Sequence, residues 1–180
     1  IARQPHALDS SDLRQRLEGV TELVAFRMAP LTVGVAPRNE RAYGLLISDD
    51  YFDVLGLRPA VGRFPTHEEL SRGAAADVVV VSHDFWRTRL GGVASAVGQS
   101  LRVNDRELTV VGVTPDGFQG TVLGLQFDVW VPAARAPLVF TGSPELDSRA
   151  SRGYYLLARL ESGARAEVTA AVDQTMRDLA

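Results

Sequence analysis

The chain has 180 residues and a mass of 19.5 kDa, with 46% hydrophobic and 23% charged residues; it is long enough to bury a substantial core and too apolar for a disordered polymer. Its net charge of −3 and pI near 5.6 leave no basic excess to neutralise phosphates, which argues against a nucleic-acid binder. All 19 basic side chains are arginine and cysteine is absent, so Schiff-base and P-loop lysines, disulfides, thiolate zinc sites and thiol nucleophiles are excluded.

Residues 1–8 read as a tail with Pro5 and a solvent-exposed His6. Ser10 or Ser11 then caps a short helix with Leu13 and Leu17 on one face, ended by Gly19. Val24, Phe26 and Met28 alternate as a strand that Ala29 and Pro30 are expected to interrupt before Leu31 to Val35. Pro37 to Glu40 form a turn cluster, and Arg41 to Ser48 read as a strand buried on at least one side.

Asp49 or Asp50 is placed to cap one helical turn through Tyr51, Phe52 and Leu55, closed by Gly56. Pro59 to Arg63 are extended. Thr66 and Glu69 have the spacing of a capping box, and Arg72 to Ala76 form a small-residue loop.

Val78 to Val81 are four β-branched residues in a row, a fully apolar strand, with Ser82 as N-cap of a helix carrying Phe85, Trp86 and Leu90 that Gly91 and Gly92 end. Leu101 and Val103, then Leu108, Val110 and Val111, flank the two-residue turn Asn104–Asp105 of a hairpin. After the strand Val129 to Pro132, Ala133 to Ser151 show little periodicity and read as an irregular crossover. Tyr154 to Leu160 are a strand broken by Ser162 and Gly163, and Val168, Val172, Met176 and Leu179 mark one apolar stripe of a surface helix.

This order implies a discontinuous α+β architecture of two lobes. Residues 1–48 and 151–180 make one lobe from both chain ends, and residues 49–150 make an inserted lobe of short strands, turns and one clear helix. No apolar run reaches the roughly 18 residues that span a bilayer. The opening at Ile1 without methionine and the close at Ala180 inside a helical pattern lead to the expectation of a segment from a longer protein.

Candidate chemistry reduces to structural roles at each position. His67 stands beside Glu68 and Glu69, but adjacent helical residues point about 100° apart and do not converge on one ion unaided. His83 and Asp84 offer a carboxylate-oriented imidazole, yet they also suit the first turn of a helix. Ser82 follows a strand and precedes a helix, but a nucleophile elbow needs glycines where Val80 and Asp84 stand. The glycines from Gly112 to Gly124 lack phosphate-cradling spacing. Asp49, Asp50 and Asp116 suit caps and turns, Trp86 and Trp130 suit core anchors, and Arg58, Arg63, Arg87, Arg89 and Arg102 suit a mixed solvated surface. No catalytic, cofactor-binding or metal-ligating residue is assigned.

Consecutive motifs carry more information than any single residue. VVVVSHDFWRTRLGG, VGQSLRVNDRELTVVGVTPDGFQGT and DVWVP, with LLISDDYFDVLGLRPAVGRFP before them and YYLLARLESGARAEVTAAVDQTM after, resemble the periplasmic core domain of MacB-type ABC transporter permeases, in the branch of duplicated permeases. LRQRLEGVTELVAFRMAPLTVG near the start adds to the resemblance, which covers about Leu8 to Ala180. Asn104–Asp105 departs from the Asn-Gly expected there, so Asp105 should tolerate positive φ at some cost.

The resemblance implies a porter-like βαβ lobe with an inserted mixed lobe. It also implies a non-enzymatic extracytoplasmic domain of a bacterial inner-membrane protein, without bound metal or nucleotide. Such a domain would couple transmembrane-helix motion to export or to proteins outside the membrane. Implied partners are the rest of the permease chain and a separate ATP-binding subunit, with a periplasmic adaptor or a second permease copy as further options and the isolated domain monomeric. The alternative is a substrate- or peptide-binding module that presents ligand to the permease, for which an apolar pocket with convergent polar groups would be the sign.

Overall fold

The computed structural model describes residues 20–35, 38–48, 50–70, 76–136, 154–160 and 162–178. The expected tail and helix before Gly19, Asp49, residues 72–75 of the small-residue loop, most of the 133–151 crossover and Leu179 lie outside them. Among the described residues eight strands form one sheet: β1 Val20–Val35, β2 Arg38–Ile47, β3 Val61–Gly62, β4 Val78–Val81, β5 Ser100–Val103, β6 Arg106–Val113, β7 Val129–Pro132 and β8 Tyr155–Leu160. The described helices are α1 Tyr51–Val54, α2 His67–Leu70, α3 His83–Arg89 and α4 Arg165–Asp178, with short 3-10 turns at Ala94–Ala96 and Ala133–Arg135.

The sheet closes on itself. β1 pairs β2, β2 pairs β7 in parallel, β7 pairs β4, β4 pairs β6 in parallel, β6 pairs β5, and β5 returns to β1 through Val33–Val103 and Gly34–Arg102. β8 extends the ring from the first half of β1, and β3 attaches to β6. Closure gives each of the six ring strands a partner on both sides over at least part of its length, which reduces the exposed edge. Strands from residues 20–47 and from the middle of the chain therefore share one hydrogen-bonded ring.

Alternation along the strands sorts the apolar residues into two cores. Ala29, Leu31, Leu46, Val79, Val81, Leu101, Val110 and Val131 belong to a cluster that draws on every strand of the ring and is its interior. Phe85 joins it, and Trp86 and Leu90 pack against it, so the apolar face of α3 covers this core. Val24, Phe26, Leu45, Ile47, Val80, Val111 and Trp130 face outward and are covered by Tyr51, Phe52 and Val54 of α1, Leu70 of α2 and Phe127. A strand buried on both faces needs an unbroken apolar run, which is what Val78 to Val81 supply.

Several local expectations hold. Ser82 Oγ accepts from Phe85 N at 3.0 Å and caps α3. Thr66 Oγ1 accepts from Glu69 N at 3.3 Å while Glu69 Oε2 accepts from Thr66 N at 2.8 Å, the reciprocal capping box. Gly56 and Gly163 take positive φ where the chain leaves an element.

Others are corrected. Pro30 does not interrupt β1, which runs through it paired with Tyr43. Thr32, two residues on, directs its N–H and C=O toward Asn104, so Pro30 turns its donor-less nitrogen to the same edge, in the gap between the β8 and β5 pairings. Asn39 and Glu40 are not in a turn but in β2, paired with Gly34 and Val33. Asp50 precedes α1 in the left-handed region at φ 62 and makes no side-chain cap bond. In the β5–β6 turn the positive φ falls on Asn104, at 51, and not on Asp105. Asn104 accommodates it because its Oδ1 accepts from Thr32 N at 2.8 Å and its N–H donates to Thr32 O at 2.6 Å, tying the turn to β1.

Candidate functional site

β4 ends at Val81, and the next three residues, Ser82, His83 and Asp84, open α3. The segment between β6 and β7, residues 114–128, returns across this point. Thr114 N donates to Val81 O at 2.9 Å, and Ser82 N donates to Asp128 O at 2.7 Å, so both ends of the segment are bonded to the end of β4. Phe118 stacks on the fully buried Trp130 at 5.6 Å, and Phe127 N donates to Gln119 O at 3.0 Å. Gly120, at φ 112, lies so close to the Phe127 ring that a Cβ there would come within 2.5 Å of it. The segment is thus drawn tightly over the outer core.

This fold-back brings Asp116 to α3. Its Oδ1 lies 3.2 Å from His83 Nδ1; the distance is that of an ion pair, but the enclosed Nδ1 is not aligned for a hydrogen bond. His83 is largely covered and its ring lies 5.2 Å from that of Trp86, whereas Asp116 is open to solvent. Ligand atoms of His83, Asp84 and Asp116 all fall within 4.8 Å of one another. Beside them is a cleft of about 30 Å³ lined by Ser82, His83, Asp84, Gln119, Gln126 and Asp128 among others. Asp128 is half-buried; burial pushes its carboxyl above the ordinary carboxylate range, and the neighbouring charges of Asp84 and Glu40 push the same way. The Tyr43 N–H, at 3.2 Å from Oδ2, and Arg89 oppose them.

The other residues singled out in the sequence are dispersed. Ser82 is buried with its oxygen engaged in the helix cap. His67 Nδ1 lies 3.3 Å from Asp50 Oδ1, while Glu69 turns to Arg63, with contacts of 2.6 and 2.8 Å, so His67, Glu68 and Glu69 do not converge. Arg89 pairs with Glu40 and Arg102 with Glu107, which breaks up an anion-binding face. Trp130 is a core anchor; its indole lies beside the Tyr51 hydroxyl, close enough to favour the phenolate though not aligned as a hydrogen bond. Burial raises the Tyr51 phenol, and the Thr121 hydroxyl at 3.1 Å partly offsets it. Asp128 and Gln119 stand inside the motifs DVWVP and VTPDGFQGT and Gln126 between them, but nothing in the sequence singles them out for a site, and only the return of the 114–128 segment brings them to the cleft beside His83.

The sequence matches the family described as MacB-like periplasmic core domain over residues 2–175. No curated protein matches it significantly. Among solved structures it is similar to the extracellular domain of the noncanonic ABC-type transporter YknZ from Gram-positive bacteria, at 18% identity and a TM-score of 0.74, covering 98% of this chain and 82% of that one. It is also similar to the periplasmic region of MacB from Actinobacillus actinomycetemcomitans, at 18% identity and a TM-score of 0.70, covering 95% and 74%. The shared fold and the family match over nearly the whole chain place it plainly: this chain belongs to the MacB-like periplasmic core domain family, the extracytoplasmic part of ABC transporter permeases.

Proposed function

We propose that the domain works without catalysis, coupling the motion of transmembrane helices in its permease to export or to partner proteins outside the membrane. The observation that carries this reading is the closed ring, in which strands near the start of the chain are hydrogen-bonded to strands of its middle. A displacement applied at one part of so continuous a body is passed on as rigid-body movement. The cleft beside His83 has room for about two waters and not for a peptide.

In this reading residues 1–48 with 151–180 act as a porter-like lobe and residues 49–150 as an inserted lobe, joined by the β1–β5 and β2–β7 pairings. Partners are the rest of the permease chain, a separate ATP-binding subunit, and an adaptor or second permease copy. Exposed Leu123, Leu125 and Tyr43 offer apolar contact outside the core.

This chain has no cysteine of its own, so an introduced cysteine is a unique label once any cysteine elsewhere in the permease and its ATP-binding subunit has been replaced. With spin labels at Leu123→Cys and Ala166→Cys in the permease assembled with its ATP-binding subunit, the separation between the two should stay fixed. The distance from Leu123→Cys to the membrane surface should change on ATP binding. An unchanged distance to the membrane would sink the coupling role, and substrate turnover by the domain alone would overturn the non-catalytic one.

A further inference from the structure

We propose that His83, Asp84 and Asp116 form a site for a first-row transition-metal dication of the zinc or cobalt type, which pins the 114–128 segment to the start of α3. The proposal is independent of the coupling role above and departs from the metal-free domain that the family resemblance implies.

Geometry comes first. Bonds of about 2.0–2.2 Å from one ion to a histidine nitrogen and a carboxylate oxygen hold those atoms roughly 3.0–3.5 Å apart at octahedral or tetrahedral angles. His83 Nδ1 and Asp116 Oδ1 are 3.2 Å apart, and one ligand atom from each of His83, Asp84 and Asp116 lies within 4.8 Å of the other two. His83 and Asp84 are adjacent and could not enclose an ion alone; Asp116 arrives from a separate segment and completes the set.

The second observation is the state of His83 itself. Its Nδ1 is shut off from solvent and faces Asp116 Oδ1 at 3.2 Å, in ion-pair range but without the alignment of a hydrogen bond. A buried polar atom in that condition is costly unless something satisfies it, and a metal ion is a natural acceptor of its lone pair.

Charge and space agree. Asp84, Asp116 and Asp128 surround one imidazole, while the neighbouring Arg89 is engaged with Glu40 at 2.7 Å. The adjoining cleft of about 30 Å³ admits a water or two, enough to complete a coordination sphere, and Gln119 and Gln126 are among its lining residues. An imidazole among carboxylates suits zinc, cobalt or nickel better than magnesium or calcium, which take oxygen ligands. Bound there, the ion would crosslink α3 to the segment that carries Leu123 and Leu125.

The test uses the chelator-stripped 180-residue chain at neutral to mildly alkaline pH, titrated with Co²⁺ by visible absorption and with Zn²⁺ by calorimetry. One ion per chain is expected, with cobalt d–d bands. His83→Gln and Asp116→Asn should each weaken binding by about 10-fold or more, with unchanged far-UV circular dichroism. Glu68→Gln, on exposed α2, should bind as the parent does. Because Asp116 is exposed on a loop, its asparagine variant should fold normally. Absence of cobalt uptake by the parent, or equal uptake by Asp116→Asn, would overturn the site.

Discussion

Glu69 receives Arg63 through both guanidinium nitrogens and the N–H of Thr66, and these contacts, Arg63 foremost, hold its carboxyl at about 2, well below the ordinary 4.5. A depressed carboxyl stabilises the fold fully above its unfolded value, and that contribution is lost as pH falls toward the folded one. The stability difference between the parent and Glu69→Gln should therefore be largest above pH 4.5 and shrink as pH drops to about 2, measured by urea unfolding at a series of pH values. Partial exposure of both side chains screens the pair, so the difference should be modest. A difference constant across that interval would exclude the depressed carboxyl as its source. The Thr66–Glu69 box was legible from a four-residue spacing, because capping is local chemistry. The bidentate Arg63 was not, since nothing in the sequence says where an extended segment will turn its side chain.

At the scale of elements, β3 shows how two glycines let backbones meet. A Cβ on Gly112 would stand 2.0 Å from the carbonyl oxygen of Arg63, and one on Gly62, at φ 72, would stand 2.4 Å from that of Val111. Gly112→Ala must force β3 off β6, releasing the bonds from Ala60 N to Val113 O and from Arg63 N to Val111 O, each 2.9 Å. A loss of about 2 kcal/mol or more is expected in urea unfolding, with the amide of Arg63 losing protection from hydrogen exchange. A change within about 0.5 kcal/mol would mean that the strands separate more easily than this contact implies. Alternation and β-branching made β4, β5, β6 and β8 readable. The continuity of β1 was not, because a proline is read as a break until the edge it faces is known, and that edge is set by where β8 stops and β5 begins.

At the scale of the whole molecule, ring closure ties residues far apart in the chain into one cooperative unit. Fluorescence from Trp86 and Trp130 and far-UV circular dichroism should report one coincident unfolding transition in urea, because the interior core draws on every strand of the ring. Two separated transitions would instead show that part of the chain folds independently of the ring. The sequence by itself determined the element types over most of the described chain, the caps at Ser82 and Thr66 and the apolar strand Val78 to Val81, which rest on neighbours within a few residues, and the family, which rests on the order of motifs along nearly the whole chain. Only the tertiary structure decided that the strands close into a ring, that Pro30 sits harmlessly in a gap between two partners, and that Asp116 meets His83. Those outcomes depend on pairing between segments tens of residues apart, where the burial of whole faces outweighs any local preference.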